Sequence, residues 1–283
     1  MVYFIAEISS NHDCDIERCF RLIDKAAEIG CHSAKFQLFK IDQLFAPEIL
    51  RHRPEVAARK AWELPLEFLP LLAERCKKNK IDFSCSPFYL KAVEELEPYT
   101  AFYKIASYAL LWDELLIESA RTGKPVILST GMATLKEVEH AVEVLRKNGC
   151  EDLTLLHCVS AYPTPLQEAN LRAIETLRQA FECKTGWSDH TVEPGVLKRA
   201  IHRWGAEAIE FHFDLEGEGA EFKTGHCWLP EMMKSIIDQV KTGLLADGSG
   251  VKIPVPAEMV ERVWRTDPSD GLRPLLETRK NYL

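Results

Sequence analysis

Gly186-Trp187-Ser188-Asp189-His190-Thr191 closes a short run, Phe181-Glu182-Cys183-Lys184-Thr185, that reads as a strand. It sets a hydroxyl, a carboxylate and an imidazole side by side where a helix should begin. Twenty-two residues after His190, the stretch Ile209-Glu210-Phe211-His212-Phe213-Asp214 repeats the arrangement: an apolar strand with a histidine near its end. Polar groups at a strand's end are costly to desolvate without partners, so they usually meet something there. The spacing therefore asks whether His190 and His212 face each other across one site.

Working outward, the same unit recurs. Short β-branched or aromatic runs alternate with longer amphipathic segments, the pattern of parallel strands joined by helices. Strands are expected at Val2 to Ile8, Ser33 to Gln37, Asp82 to Ser86, Phe102 to Ser107, Lys124 to Thr130, Leu153 to Cys158, Lys184 to Trp187 and Ala208 to Phe213. Helices follow each, from Ile16 to Ile29 through Pro230 to Leu245, and Thr134 with Glu137 has the spacing of a capping box. Residues 38–64 form a long Arg- and Pro-rich excursion over one face. Eight strand–helix units in about 250 residues are the arithmetic of an α/β (β/α)8 TIM barrel. A doubly wound sheet would show a Gly-rich phosphate loop after its first strand. Here that position reads Ser9-Ser10-Asn11-His12, which favours the barrel. After Gly250 prolines break the pattern, so residues 1–250 are expected to be the barrel and 251–283 an arm packing on it or on a partner subunit.

Composition narrows the class. The 283 residues are 46% hydrophobic, enough for a large core, and no apolar run approaches the roughly 20 residues a membrane span needs. The first residues lack a basic region and a cleavage site and read as a strand. Nine scattered cysteines without a C-x-x-C pair point to reduced thiols and a cytoplasmic setting. A net charge of -8 without a long basic run argues against nucleic acid as a partner. It leaves room for an anionic small molecule, because a few cations reverse the field inside a pocket.

A barrel carries its site at the C-terminal strand ends. Read in order, these ends supply Glu7; Lys35 and Gln37; Ser84 and Ser86; Lys104 and Ser107; Ser129 and Thr130; Ser160; Ser188 and His190; His212 and Asp214. Lysines and hydroxyls are what a phosphate needs, as point charge and short hydrogen bonds. Two histidines on adjacent strands suit a divalent metal. Each piece has a plainer reading, since strand-end serines often cap the next helix. His157, inside an apolar run, reads as a satisfied core residue. Lys104 keeps a second chemistry open: a barrel lysine with a depressed pKa can form a Schiff base with pyruvate.

The strand ends also resemble the sialic acid synthase family. The likeness rests on Ala6-Glu7-Ile8-Ser9-Ser10-Asn11-His12, Lys35-Phe36-Gln37, Tyr103-Lys104-Ile105-Ala106-Ser107, Leu128-Ser129-Thr130-Gly131-Met132, His157 to Pro165 and Ser188-Asp189-His190-Thr191, in order from residue 2 to about 250. It implies a homodimeric barrel that condenses phosphoenolpyruvate with an N-acyl amino sugar such as N-acetylmannosamine. Lys35, Ser86, Lys104, Ser107, Ser129 and Ser188 would hold phosphoenolpyruvate, with Gln37 and Ser160 at neighbouring strand ends. His190 and His212 would bind a divalent ion, Mn2+ above all, with Mg2+ or Co2+ as alternatives. Glu7 would sit at the reacting carbons and Tyr162 near the sugar. On that reading Asp189 is expected to orient a metal ligand, and the lysines serve as phosphate cations. A Schiff-base aldolase and a non-catalytic sugar-binding barrel stand as the alternatives.

Three departures fall on the acceptor side. Many members continue into a small antifreeze-like domain that reaches across the dimer with an arginine for the sugar, so here the tail or a separate protein is expected to close the site. The acidic residue usually found as aspartate in Gly-Pro-Asp is Glu221, in Gly219-Ala220-Glu221. The segment Lys223-Thr224-Gly225-His226-Cys227-Trp228-Leu229-Pro230 is fuller than the family's pattern.

Overall fold

Alternation within each strand settles the architecture. In a computed structural model describing residues 2–282, the strands are β1 Tyr3–Glu7, β2 Ser33–Leu38, β3 Asp82–Pro87, β4 Tyr103–Ile105, β5 Val126–Ser129, β6 Leu153–Cys158, β7 Lys184–Asp189, β8 Ala208–Phe213 and β9 Cys227–Trp228. Strands β1 to β8 are parallel, each paired with the next, and β8 pairs back with β1, which closes the barrel. The expected (β/α)8 fold is what the chain forms.

In β8, Ile209, Phe211 and Phe213 belong to the large core packed beneath the helices, whereas Ala208, Glu210 and His212 face the barrel interior. A small apolar layer of Ile5, Phe102, Ile127, Leu156 and Ala208 fills the lower interior. Burying such side chains contributes about 1.5–3 kcal/mol each. Gly186 is required here, because a Cβ would stand 2.1 Å from the Ala208 carbonyl oxygen.

The helices follow their sequence signals. Asp15 caps Ile16–Glu28 through the Glu17 N–H, and Thr134 with Glu137 forms the expected capping box of Leu135–Lys147. The 38–64 excursion is a chain of short helices, Ile41–Leu44, Pro47–His52 and Pro54–Ala57, then a 3-10 turn Ala58–Trp62. One element was not foreseen: β9, which pairs His212 with Cys227 and Phe213 with Trp228.

The chain divides into two units, 1–240 and 241–283. The boundary precedes the change of composition at Gly250 because helix Pro230–Ala246 is buried only as far as Val240; Leu244 and Leu245 are exposed. Within the second unit Asp267 accepts from the backbone N–H groups of Ser269 and Leu276, and Arg279 pairs with Asp270.

Candidate active site

Above the apolar layer lies a layer of buried charge. Lys35 and Lys104 point in from β2 and β4, and Glu210 from β8 stands between them, 3.7 Å and 3.5 Å from their ammonium nitrogens. Ser188 donates to Glu210 at 3.0 Å, and Lys35 donates to Ser86 at 3.1 Å. Burial opposes ionisation of Glu210, yet Lys104 and Lys35 hold it down at about 2. Burial pulls the Lys104 ammonium below its ordinary value, against the pull of Glu210.

Glu7 sits one step closer to the mouth. Its Oε2 is 2.5 Å from the Lys35 ammonium, and burial nevertheless pushes its carboxyl above the ordinary range. Gln37 donates to Glu7 at 2.6 Å and to Ser9 at 2.9 Å; Ser9 in turn donates to Glu221 at 2.6 Å. Gln37, expected to meet phosphoenolpyruvate, therefore commits its amide hydrogens to positioning Glu7. Two carboxyl groups shifted in opposite directions, Glu7 up and Glu210 down, is the pattern of a proton donor beside a permanent anion.

The phosphate-binding expectation meets a built cradle. The Gly131 N–H donates to Ser107 Oγ at 2.9 Å, and Ser107 lies 3.1 Å from Cys158 Sγ. A Cβ on Gly131 would fall 2.5 Å from Ser160 Oγ and 2.9 Å from both Cys158 Sγ and Ser107 Oγ. The hydroxyls of Ser129 and Ser160 are buried without a partner among the described residues. Buried hydroxyls without partners are costly, so a ligand that accepts from them fits the observation.

At the mouth four aromatic rings gather. Tyr162 lies over His190 at 4.3 Å between centroids; His190 is 5.4 Å from His212, and His212 is 4.4 Å from His226. His190 Nδ1 bonds the Val159 carbonyl at 2.7 Å, which leaves its Nε2 lone pair free. Burial, then the neighbouring His212, lowers His190 to about 3. His212 Nδ1 is 3.1 Å from Glu221 Oε2. Side-chain donor atoms of His212, Glu221, His226 and Cys227 all lie within 4.8 Å of one another. Imidazole and carboxylate donors at this spacing fit a divalent ion.

Several residues picked out along the chain meet in this layer, and two take partners other than those expected. Glu221, expected at the sugar, reaches His212 because Gly219 fits between Asn11 and Asp214, where a Cβ would stand 2.6 Å from an oxygen of each. The Asn11 side-chain oxygen Oδ1 then accepts from the Glu221 backbone N–H at 2.8 Å. Asp189 orients no metal ligand directly. Its carboxylate takes both indole N–H groups, of Trp187 at 2.8 Å and Trp228 at 2.9 Å, and the Thr191 hydroxyl at 2.7 Å. It thereby ties β9 to β7. His157 bonds the Ala169 carbonyl at 3.0 Å, as a core residue would. Glu210, His226 and Cys227 were missed. Period-two alternation back from His212 would have found Glu210; His226 and Cys227 needed β9.

Comparison with known proteins agrees with the geometry. The NeuB family profile matches residues 22–252. The N,N'-diacetyllegionaminic acid synthase of Campylobacter jejuni is 35% identical over 263 residues, 88% of this chain and 78% of that protein. The N-acetylneuraminate-9-phosphate synthase of Drosophila melanogaster is 32% identical over 93% of this chain and 72% of its own length. The N-acetylneuraminic acid synthetase of Leptospira borgpetersenii, solved with citrate, superposes with a TM-score of 0.82 at 31% identity, covering 92% of this chain and 90% of that one. A closed barrel with this strand-end chemistry, matched by a family profile over most of its length, belongs to the NeuB family.

Proposed function

We propose that the protein condenses phosphoenolpyruvate with an N-acyl amino sugar, N-acetylmannosamine-like, to give a sialic-acid-like nonulosonic acid and phosphate. The observation that carries this reading is the layering: a two-lysine, free-hydroxyl cradle directly beneath the buried Glu7 carboxyl and a histidine cluster. Ionised Glu210 offsets one of the two lysines, leaving the other's charge for the phosphate. Ser86, Ser107, Ser129, Ser160 and Ser188 line this cradle as hydrogen-bonding groups, and Tyr162 closes its acceptor side.

The phosphoenolpyruvate methylene carbon attacks the aldehyde carbon of the open-chain sugar. Glu7, its carboxyl raised by burial, gives its proton to the oxygen of that aldehyde as the carbon–carbon bond forms. Water adds to the cationic C2 left behind and returns a proton to Glu7. The tetrahedral adduct then breaks the C2–O bond to the phosphate; its C2 hydroxyl becomes the keto group and passes its proton to the departing phosphate, which leaves as hydrogenphosphate, so the proton count closes. When bound by His190 and His212, a divalent ion supplies Lewis-acid polarisation of the aldehyde. Imidazole donors favour Mn2+ or Co2+ over Mg2+ there. A cytoplasmic setting accords with nine scattered cysteines without a C-x-x-C pair, and a homodimer with the family likeness.

The lowered ammonium of Lys104 keeps one rival worth testing, the Schiff-base aldolase. Purified protein with Mn2+ should release phosphate from phosphoenolpyruvate with one member of an N-acyl hexosamine panel, the product being identified by mass. EDTA should abolish this. Borohydride trapping of Lys104 with pyruvate, with no phosphate released across the panel, would overturn the proposal.

A further inference from the structure

The fuller segment before Pro230 finds its explanation in β9. Its parallel pairing sets Cys227 beside His212, and the chain entering it delivers His226 to the same corner. We propose that His226 and Cys227 are ligands of the divalent ion, joining Glu221 and the His190–His212 pair in a set of three imidazoles, a carboxylate and a thiolate. The inference rests on the metal reading above and extends it to residues outside the His190–His212 pair.

The distances suit such a set. Ligand atoms bound to one ion at about 2.0–2.3 Å stand about 3–4 Å from one another. Glu221 Oε2 is 3.1 Å from His212 Nδ1 and 3.8 Å from His226 Nε2. Thr224 donates its hydroxyl hydrogen to the Glu221 carbonyl at 2.5 Å and lies 2.5 Å from His226 Nδ1, so that nitrogen carries the ring proton and the Nε2 lone pair is left toward Glu221. Asn11 Nδ2 donates to Cys227 Sγ at 3.6 Å, which orients the sulfur toward His212 and Glu221. Asn11 also accepts from the Glu221 backbone and donates to the Phe213 carbonyl, so one side chain fixes two members of the set. Asp189 holds Trp228, and through it the strand that carries Cys227.

The thiol proton leaves to solvent as the metal–sulfur bond forms. A thiolate in the set softens the site, so it discriminates more steeply for Zn2+ and Co2+ against Mn2+ than imidazole and carboxylate alone would.

The test uses the full chain, stripped with EDTA and titrated with Co2+. The wild type should show a near-ultraviolet thiolate-to-cobalt charge-transfer band. Cys227→Ser should bind Co2+ without that band, and its preference for Zn2+ over Mn2+ in competition should fall by about tenfold or more. His226→Gln should weaken Co2+ binding by about tenfold or more, while His190→Ala keeps the band. Circular dichroism confirms folding, and should Cys227→Ser fail to fold, the wild-type band and His226→Gln still decide. A wild-type cobalt complex with no thiolate band, or His226→Gln affinity equal to wild type, would overturn the inference. Phosphate release by the wild-type enzyme, measured separately, distinguishes that failure from failure of the functional reading.

Discussion

Glu210 Oε1 lies 3.5 Å from the Lys104 ammonium, and both groups are wholly inside the barrel. The carboxylate also serves Lys35 and Ser188. Removing one partner of a buried ionic network leaves charges uncompensated, at a cost of about 3–5 kcal/mol. Glu210→Gln is therefore expected to lower stability by that order in urea denaturation, and to reduce activity more than a surface Glu→Gln control.

The same carboxylate sets an acid window. Held at about 2 against an ordinary 4.5, Glu210 stabilises the fold fully above pH 4.5 and loses that contribution as pH falls toward 2. Stability measured from pH 5 down to pH 2 should fall with a steeper slope in the wild type than in Glu210→Gln. Equal slopes would mean the ion pairs do not contribute.

Gly131→Ala tests the phosphate cradle. The added Cβ would push against Ser160, Cys158 and Ser107 side chains, which can shift without moving backbone. The expected result is a rise in the phosphoenolpyruvate KM of about tenfold or more, equivalent to about 1.4 kcal/mol, with little change in Tm. A KM equal to wild type would remove these groups from the phosphate site.

Glu7→Gln separates chemistry from binding. The amide keeps the shape of the side chain, accepts from one of Gln37 and Lys35 instead of both, and carries no transferable proton. The expected loss in kcat is about 100- to 10,000-fold. Phosphoenolpyruvate binding, read by calorimetry, should persist. A kcat within a factor of a few of wild type would assign the proton transfer elsewhere.

Asp189→Asn should act at a distance. One indole N–H loses its acceptor within a fully buried cluster, a loss of about 1–3 kcal/mol. Because Trp228 carries β9, metal affinity is expected to fall along with Tm. A fall in Tm with unchanged metal affinity would show that β9 keeps its place without this bond.

The strands, the helices and the inward lysines, serines and histidines were all legible along the chain. They depend on local rules: period-two alternation, capping residues, and the spacing of strand–helix units. His190 was legible too, at a strand-end position, and Tyr162 through the family resemblance. What stayed hidden shares one property. Glu221 reaches His212 only because Asn11 and Gly219 fold the loop after β8 back onto β1. Cys227 meets His212 only because a two-residue strand adds to a barrel already closed.

By itself the sequence determined that this chain makes a parallel barrel with phosphate-binding and metal-binding chemistry at the strand ends, because those signals are short-range and repeated eight times. Only the tertiary structure decided which groups touch. Closure of β8 on β1 sets Glu210 between two lysines from distant strands. The ninth strand brings a third imidazole and a thiol to His212. Such meetings depend on backbone turned through the whole barrel, and no spacing along the chain encodes them.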